Sequence, residues 1–569
     1  MALQDTVRNI DSGGLARMLR IGMLAAALIG LCVVYFLIHF KGLGNEAAMD
    51  QAQVARSLIS GKGFSTEYIR PLAIRQLSDA GKKIPQGNFP DFYNAPLFPT
   101  LEALVLYPIK KHIAMTPKDT LSNGDRALAL LGIFLLLAGT LVWYAVGRMV
   151  FDHTLALYGA GLILVTNLMW QYALSGLPQH LLIVLFGLVT LCALRAKQAE
   201  EEDRHASSSA WIAGAGFGFG LMTLTHGVTA FMLPGFLLFC LFGFQSRITS
   251  FLAGLIPYLV AIIPWMVHNF VVCGNPLGIS FYIALAGSGI TESDIMRGVN
   301  TGISLGGGLT NKIRTGLTDQ GAHLWEYLGL NIVVIPFFVS FLHPFRSSTA
   351  SLWRWVVLAM WIGAVFGMTL FDVKGTVSQY QLHLIFLPVF ILYGMAFLLV
   401  LWNRLNITLK PVRIAFLSVV FFVAAAPLLI TLLAGQQARI QWPPYVPPFI
   451  SVLGNWFKPT EILCSDMPWA VAWYADRKCV LLPETMHAFN ELSDYGTLGS
   501  PVVGLYLTPI SGNQDFLSLI KGKYKEWGPV IMRTVNLNDF LLKSFTPLPI
   551  DGECILYADR DRWAASSSK

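Results

Sequence analysis

The feature that most constrains this chain is a succession of apolar runs, several of them 18 or more residues long. They cover about 18–40, 125–148, 154–173, 180–196, 209–227, 229–245, 249–270, 328–344, 352–372, 380–402 and 412–434. As helices, runs of this length match the hydrocarbon thickness of a bilayer. Composition agrees: 13% of residues are charged, against about a quarter in soluble domains. The pattern predicts an α-helical polytopic membrane protein with about eleven transmembrane helices. The first run follows about seventeen polar residues and has no small-residue cleavage site after it, so it reads as a retained span.

Orientation follows from the basic residues of the short loops. Arg8, Arg17 and Arg20 precede the first span. Arg195, Lys197 and Arg204 share one alternate loop, Arg247 the next, then Arg346 and Arg354, then Arg404, Lys410 and Arg413. The opposite loops at 175–179 and 227–228 carry none, and 372–379 carries only Lys374. The N-terminus is therefore expected in the cytoplasm and, with an odd span count, the tail outside. The net charge of +7 is accounted for by these loops and calls for no nucleic-acid partner. Residues 97–109 are apolar but only thirteen long, with Glu102 inside and prolines at Pro99 and Pro108, so they read as an interfacial or re-entrant helix.

Three parts then face outward: residues 41–124, residues 271–327 with a Gly-rich middle at 302–308, and the tail. The chain divides into a transmembrane domain, 1–434, and an extracytoplasmic domain, 435–569. In the tail, strand patterns at 461–466, 479–483 and 502–508 alternate with helical ones at 469–476 and 515–521. That predicts a small α/β domain of about 110 residues. It has no Gly-rich dinucleotide fingerprint and is assigned no cofactor. Asp466 and Arg477 flank its first two strands as a turn acid and a surface cation, or as ligand contacts. Of seven cysteines, Cys464 and Cys479 are spaced to allow a disulfide in an outward domain. No zinc-type Cys/His spacing occurs.

Candidate chemistry starts just after the first span. Asn45 is a good N-cap, and Gly61 can close a helix over the residues between. Glu46 and Asp50 lie four apart, on one face of that helix, with Gln53 near it. This suits base chemistry beside a membrane; the alternative is that Glu46 answers the helix dipole and Asp50 is solvated. Further on, a proline-stiffened segment presents Asp91, Tyr93 and Asn94, and Arg70 offers a guanidinium able to grip a phosphate bidentately. Polar residues at outer span ends suggest a shared cavity. They are Gln179 and His180, Thr225 and His226, His268 with Asn269, and Lys374 with Gln379, Tyr380, Gln381 and His383. No Ser/His/Asp or Cys/His arrangement can be argued.

Several of these pieces occur in a recognisable order. An acid shortly after the first span opens an Ala-Arg-x-Leu/Ile-x-x-Gly helix, here Glu46/Asp50 through Ala55-Arg56 to Gly61. A Pro-Leu-x-x-x-Leu-x-Ala segment follows from Pro96 to Ala103. Then come Pro264-Trp265, Asn269 and Gly274-Asn275-Pro276, and an aromatic-led late span from Gln379-Tyr380 to Pro388. In this the chain resembles the GT-C glycosyltransferases that use polyprenyl-phosphate sugars, in particular bacterial relatives of protein O-mannosyltransferases and of the lipid A aminoarabinose transferase.

The resemblance implies an inverting transfer from a lipid-linked sugar donor to an extracytoplasmic acceptor. It also implies a multi-pass protein of the bacterial inner membrane, in contact with membrane lipids. The acid after the first span would be the base. The usual adjacent acid pair is absent, and the register to Ala55-Arg56 favours Asp50, with Glu46 as its partner or a metal contact. A divalent metal is left open, with Glu46, Asp50 and Asp91 its candidate ligands. Asn94 stands where the family carries a lysine, so the phosphate would fall to Arg70 or Lys374. The competing expectation is a lipid-linked saccharide flippase, which also needs a polar path on the cytoplasmic side; a third is a membrane scaffold whose tail binds a partner.

Overall fold

The computed structural model describes residues 14–116, 119–298, 308–343, 345, 347–371, 373, 375–407, 409–433, 447–494, 496–512, 514–534, 540–545 and 554–563. Lys374 and the glycines at 302–307 lie outside the described residues.

Among the described residues, seven helices are long and apolar enough to cross a bilayer. They are Ile21–His39, Asn123–Val150, Gln179–Glu201, Arg247–Cys273, Ser348–Thr369, His383–Arg404 and Lys410–Leu433. His153–Leu164 and Asn167–Ser175 form an eighth span if counted together, bent by 59° at their junction. The other predicted runs take different shapes. Of residues 209–227, all but the last two fall in the helix His205–Thr225. Residues 229–245 become the short apolar helix Gly227–Phe242, and the described residues of 328–344 hold the short helix Val334–Val339 and a 3-10 turn after it.

Burial sorts the spans. His383–Arg404 is 78% buried and forms the centre, whereas the first and last spans are 6% and 11% buried and turn their apolar sides outward. A helix apolar on every side must be enclosed by protein or lipid. Close contacts use small residues: a Cβ on Gly216 would fall 2.0 Å from the carbonyl oxygen of Gly254 on the facing helix.

After the first span the chain enters helix α1 (Glu46–Ile59), whose N-cap Asn45 accepts from the Ala47 N–H at 3.0 Å. This helix is polar in composition yet largely buried, including Asp50 and Gln53. Its alanines allow close approach to helix α2 (Leu97–Leu106), the predicted interfacial segment, ten residues long. Strand β1 (Ser65–Thr66) pairs antiparallel with β3 (Phe89–Pro90).

Between those two lies β2 (Tyr68–Ile69), which leaves its own loop and joins the tail. The tail sheet contains β4 (Ile462–Ser465), β5 (Lys478–Leu481), β6 (Val502–Leu507) and β7 (Ile555–Ala558) in the order β2-β5-β4-β6-β7. The first four strands run parallel and β7 is antiparallel. The predicted α/β alternation is present, but the sheet is completed by a strand from the segment after the first span. The Cys464–Cys479 disulfide is not formed. Cys479 pairs with Leu463, while Cys464 pairs with Val480. One residue of offset puts the two side chains on opposite faces of the sheet.

Candidate active site

The parallel strands of the tail sheet end on the same side, and β2 is the strand that delivers chemistry there. Its C-terminal neighbour, Arg70, points back into α1. Arg70 Nη2 lies 2.5 Å from Asp50 Oδ2, with both side chains almost fully buried. The guanidinium also lies against the rings of Tyr68 and Tyr93, at 3.9 and 4.0 Å. Burial alone would lower the Arg70 pKa; Asp50, followed by Tyr68, Asp91 and Tyr93, outweighs it and the net direction is up.

Asn94 donates through Nδ2 to Asp50 Oδ2 and to Asp91 Oδ2, each at 2.7 Å, and Gln53 Nε2 reaches Asp50 Oδ1 at 3.2 Å. Asp50 is thus enclosed by donors. Burial, then the Asp50 charge, pushes the Asp91 carboxyl up to about 6, against Arg70 and Asn94, which pull it down. Glu102 of α2 is fully buried, and neither of its carboxyl oxygens has a hydrogen-bond partner. Burial, helped by Asp50, raises its pKa well above the usual carboxylate range.

A second cluster joins this one through Tyr93. The hydroxyls of Tyr93 and Tyr380 both donate to Glu292 Oε1, at 2.6 and 2.9 Å, and Gln379 Nε2 donates to the Tyr93 oxygen at 2.9 Å. The His226 ring meets the Tyr380 ring edge-on at 5.5 Å. Glu292, Gln379 and Tyr380 of this cluster line a cavity of about 180 Å³, whose wall also includes Asn45, Glu46, Tyr68 and Trp469. At roughly 30 Å³ per water, that is room for about six waters, the scale of one sugar ring. Tyr68 OH donates to Glu46 Oε1 at 3.3 Å. Of the two acids on α1, Glu46 lines the cavity and Asp50 does not. A neighbouring cavity shares Gly44, Asn45 and Val377 and adds Tyr35, His39, Gln171 and Thr431 from the first span, the bent pair and the last span.

The structure therefore brings together Glu46, Asp50, Arg70, Asp91, Tyr93, Asn94, His226, Gln379 and Tyr380. It leaves others elsewhere, two histidines among them. His180 is a core side chain with Nε2 2.8 Å from the Met169 carbonyl, and His268 is exposed and stacks on Trp265 at 4.9 Å. Lys374 lies outside the described residues. Asp466 accepts from the Thr508 and Ser511 N–H groups and the Thr508 hydroxyl, as a turn acid does.

Sequence reasoning missed Glu292, Tyr68 and Trp469. The Thr291/Asp294 capping box that starts the short helix α3 (Glu292–Arg297) is the signal that could have found the first. The three metal candidates form no cage. Arg70 and Asn94 already hold Asp50 Oδ2, and Asn94 holds Asp91 as well. Among the described residues no three His, Cys, Asp or Glu side chains converge as a ligand set. At Asp50 the Arg70 guanidinium supplies the positive charge beside the carboxylate.

The long apolar helices define a multi-pass membrane protein. Residues 120–268 match the family model described as dolichyl-phosphate-mannose-protein mannosyltransferase. The fold is similar to that of ArnT from Cupriavidus metallidurans bound to undecaprenyl phosphate, with a TM-score of 0.54, 11% identity, and coverage of 95% of this chain and 98% of that one. It is also similar to the archaeal oligosaccharyltransferase AglB from Archaeoglobus fulgidus, in complex with an inhibitory peptide and a dolichol-phosphate. There the TM-score is 0.53, the identity 13%, and the coverage 96% and 75%. No curated protein sequence matches the chain.

Proposed function

We propose that this protein is an inverting glycosyltransferase of GT-C type that moves a sugar from a polyprenyl-phosphate donor to an acceptor outside the cytoplasm. The observation that carries the proposal is the cavity beside the outward end of the first span, with the carboxylate of Glu46 on its wall. ArnT holds undecaprenyl phosphate and AglB a dolichol-phosphate in the similar structures, which supports a lipid-phosphate donor here. The setting is the bacterial inner membrane, with the N-terminus cytoplasmic and the tail domain, 435–569, outside.

In this reading Glu46 is the base. It takes the proton from the acceptor nucleophile as the nucleophile bonds to the sugar C1; the C1–O bond to the carrier breaks and the polyprenyl phosphate leaves. Asp50 does not lose or gain the proton. It holds Arg70, and through Asn94 and Asp91 it fixes the segment that carries Tyr93. Arg70 is engaged by Asp50 and shielded by two rings, so it is not the phosphate ligand. The carrier phosphate belongs to the neighbouring cavity, with His39 on its wall, and the isoprenoid lies along the lipid-facing first and last spans. No step runs through a metal.

The test is reconstitution in vesicles with a radiolabelled polyprenyl-phosphate sugar. Label transferred to an outward acceptor supports the proposal. Label that only changes leaflet makes the protein a flippase, and the transferase reading is then wrong.

A further inference from the structure

A third cavity, of about 380 Å³, opens between helix α4 (Leu309–Ala322) and the end of the span Ser348–Thr369. It has two faces. Thr315, Asp319 and Gln320 of α4 supply polar groups, whereas Met368, Leu370 and Phe371 at the end of the span supply apolar ones. Lys312 Nζ donates to the Ile283 and Ala284 carbonyls at 2.8 and 3.3 Å, which fixes α4 beside the preceding chain. Gln320 is buried and donates from Nε2 to the Val365 carbonyl at 3.3 Å, but its Oε1 has no hydrogen-bond partner. A buried acceptor left in that state is costly, and a ligand hydroxyl would relieve it.

This cavity adjoins the one that holds Glu46. Glu292 lines both. Phe371 on the wall of one stacks on Tyr380 on the wall of the other, with ring centroids 4.9 Å apart. A group bound in the third cavity is therefore a side chain away from a sugar in the first.

We infer that the third cavity receives the acceptor, and that the acceptor is a membrane lipid whose headgroup carries sugar-like hydroxyls. The inference rests on the transferase reading and deepens it. The end of a span lies at the bilayer surface, so a lipid reaches the cavity by lateral diffusion without leaving the membrane. Its chains stay with the exposed apolar side chains nearby, Phe366 one turn before Leu370 and Leu317 on α4. Its headgroup meets Thr315 and Gln320 and presents one hydroxyl to the donor sugar. That oxygen bonds to C1, its proton passes to Glu46, and the polyprenyl phosphate leaves. A soluble hydrophilic peptide would leave the apolar half of the wall uncovered.

The test places the photoreactive residue p-benzoylphenylalanine at Thr315 of the full chain, in phosphatidylcholine nanodiscs containing a minor share of glucosyl diacylglycerol. The same residue at Phe134, exposed on the span Asn123–Val150, reports the bulk lipid ratio. At Thr315 the glycolipid is expected to be enriched about tenfold over that ratio. Gln320→Leu should cut the enrichment at least about threefold while a polyprenyl-phosphate hexose still binds. Adducts in the bulk ratio at Thr315, an enrichment unchanged by Gln320→Leu, or preferential labelling of an added soluble Ser/Thr peptide each overturn this inference alone. If the wild type binds no polyprenyl-phosphate hexose, the transferase reading fails and the inference with it.

Discussion

Arg70 and Asp50 are twenty residues apart in sequence and 2.5 Å apart in space, both withdrawn from solvent. The contact ties together three pieces of chain. Asp50 belongs to the helix after the first span, and Arg70 ends a strand that is hydrogen-bonded to the tail domain. Tyr93, against which Arg70 packs, leads to Glu292 of α3. A buried pair of this kind is weak evidence of net stability, but breaking it leaves one charge stranded.

Arg70→Met should therefore destabilise the protein by about 3–5 kcal/mol, with the double variant Arg70→Met/Asp50→Leu recovering much of the loss. Thermal and chemical unfolding in detergent would measure this. If the double variant is no more stable than the single one, the pair is not the source of the loss.

The two acids of α1 are expected to fail in different ways. Glu46→Gln should lower the transfer rate by about 10²–10⁴-fold while the melting temperature and donor affinity hold. Asp50→Asn should lower the melting temperature, because it removes the charge opposite Arg70. Steady-state kinetics alongside unfolding curves separate the two. A stable, inactive Asp50→Asn with an active Glu46→Gln would exchange their roles.

Asp91 links stability to pH. Burial, with the Asp50 charge, raises its carboxyl from 3.8 to about 6 in the fold. The folded state therefore holds a proton that the unfolded chain has released over that interval. The resulting contribution is fully present below 3.8 and is lost as pH rises through 6. Asp91→Asn cannot titrate, so the melting temperature of the wild type relative to this variant should fall between pH 4 and pH 6. A constant difference across that range would contradict the assignment.

Asp125 ties the helix Asn123–Val150 to the tail. Its carboxylate accepts from Trp473 Nε1 at 2.7 Å and from Tyr474 OH at 2.9 Å. Asp125→Ala leaves the buried indole N–H without that acceptor, a cost of about 1–3 kcal/mol. Faster amide exchange in β4 and β5, with the long spans unchanged, is the expected signature.

The thiols offer a simple check. All seven cysteines should react with a thiol reagent after unfolding, with or without prior reduction. A reduction-dependent gain of two thiols would point to a disulfide that the strand register does not permit.

By itself the sequence determined the material of the protein. Long uncharged runs leave a chain no alternative to spanning helices, and the strand–turn–helix alternation after residue 461 needs no long-range information. Local spacing also found the capped helix at Glu46, the short helix holding Glu102, and the Asp91–Asn94 turn. What it left open was which acid meets a substrate. Glu46 and Asp50 lie on one face of one helix, and only the packing of β2 and its Arg70 against that helix encloses one and leaves the other on a cavity wall. Glu292, Trp469 and the sheet edge formed by Tyr68–Ile69 lay beyond a sequence reading for the same reason. Each enters the site from a stretch hundreds of residues away, or through pairing with one. Such contacts follow from how surfaces fit in three dimensions, and no local periodicity encodes them.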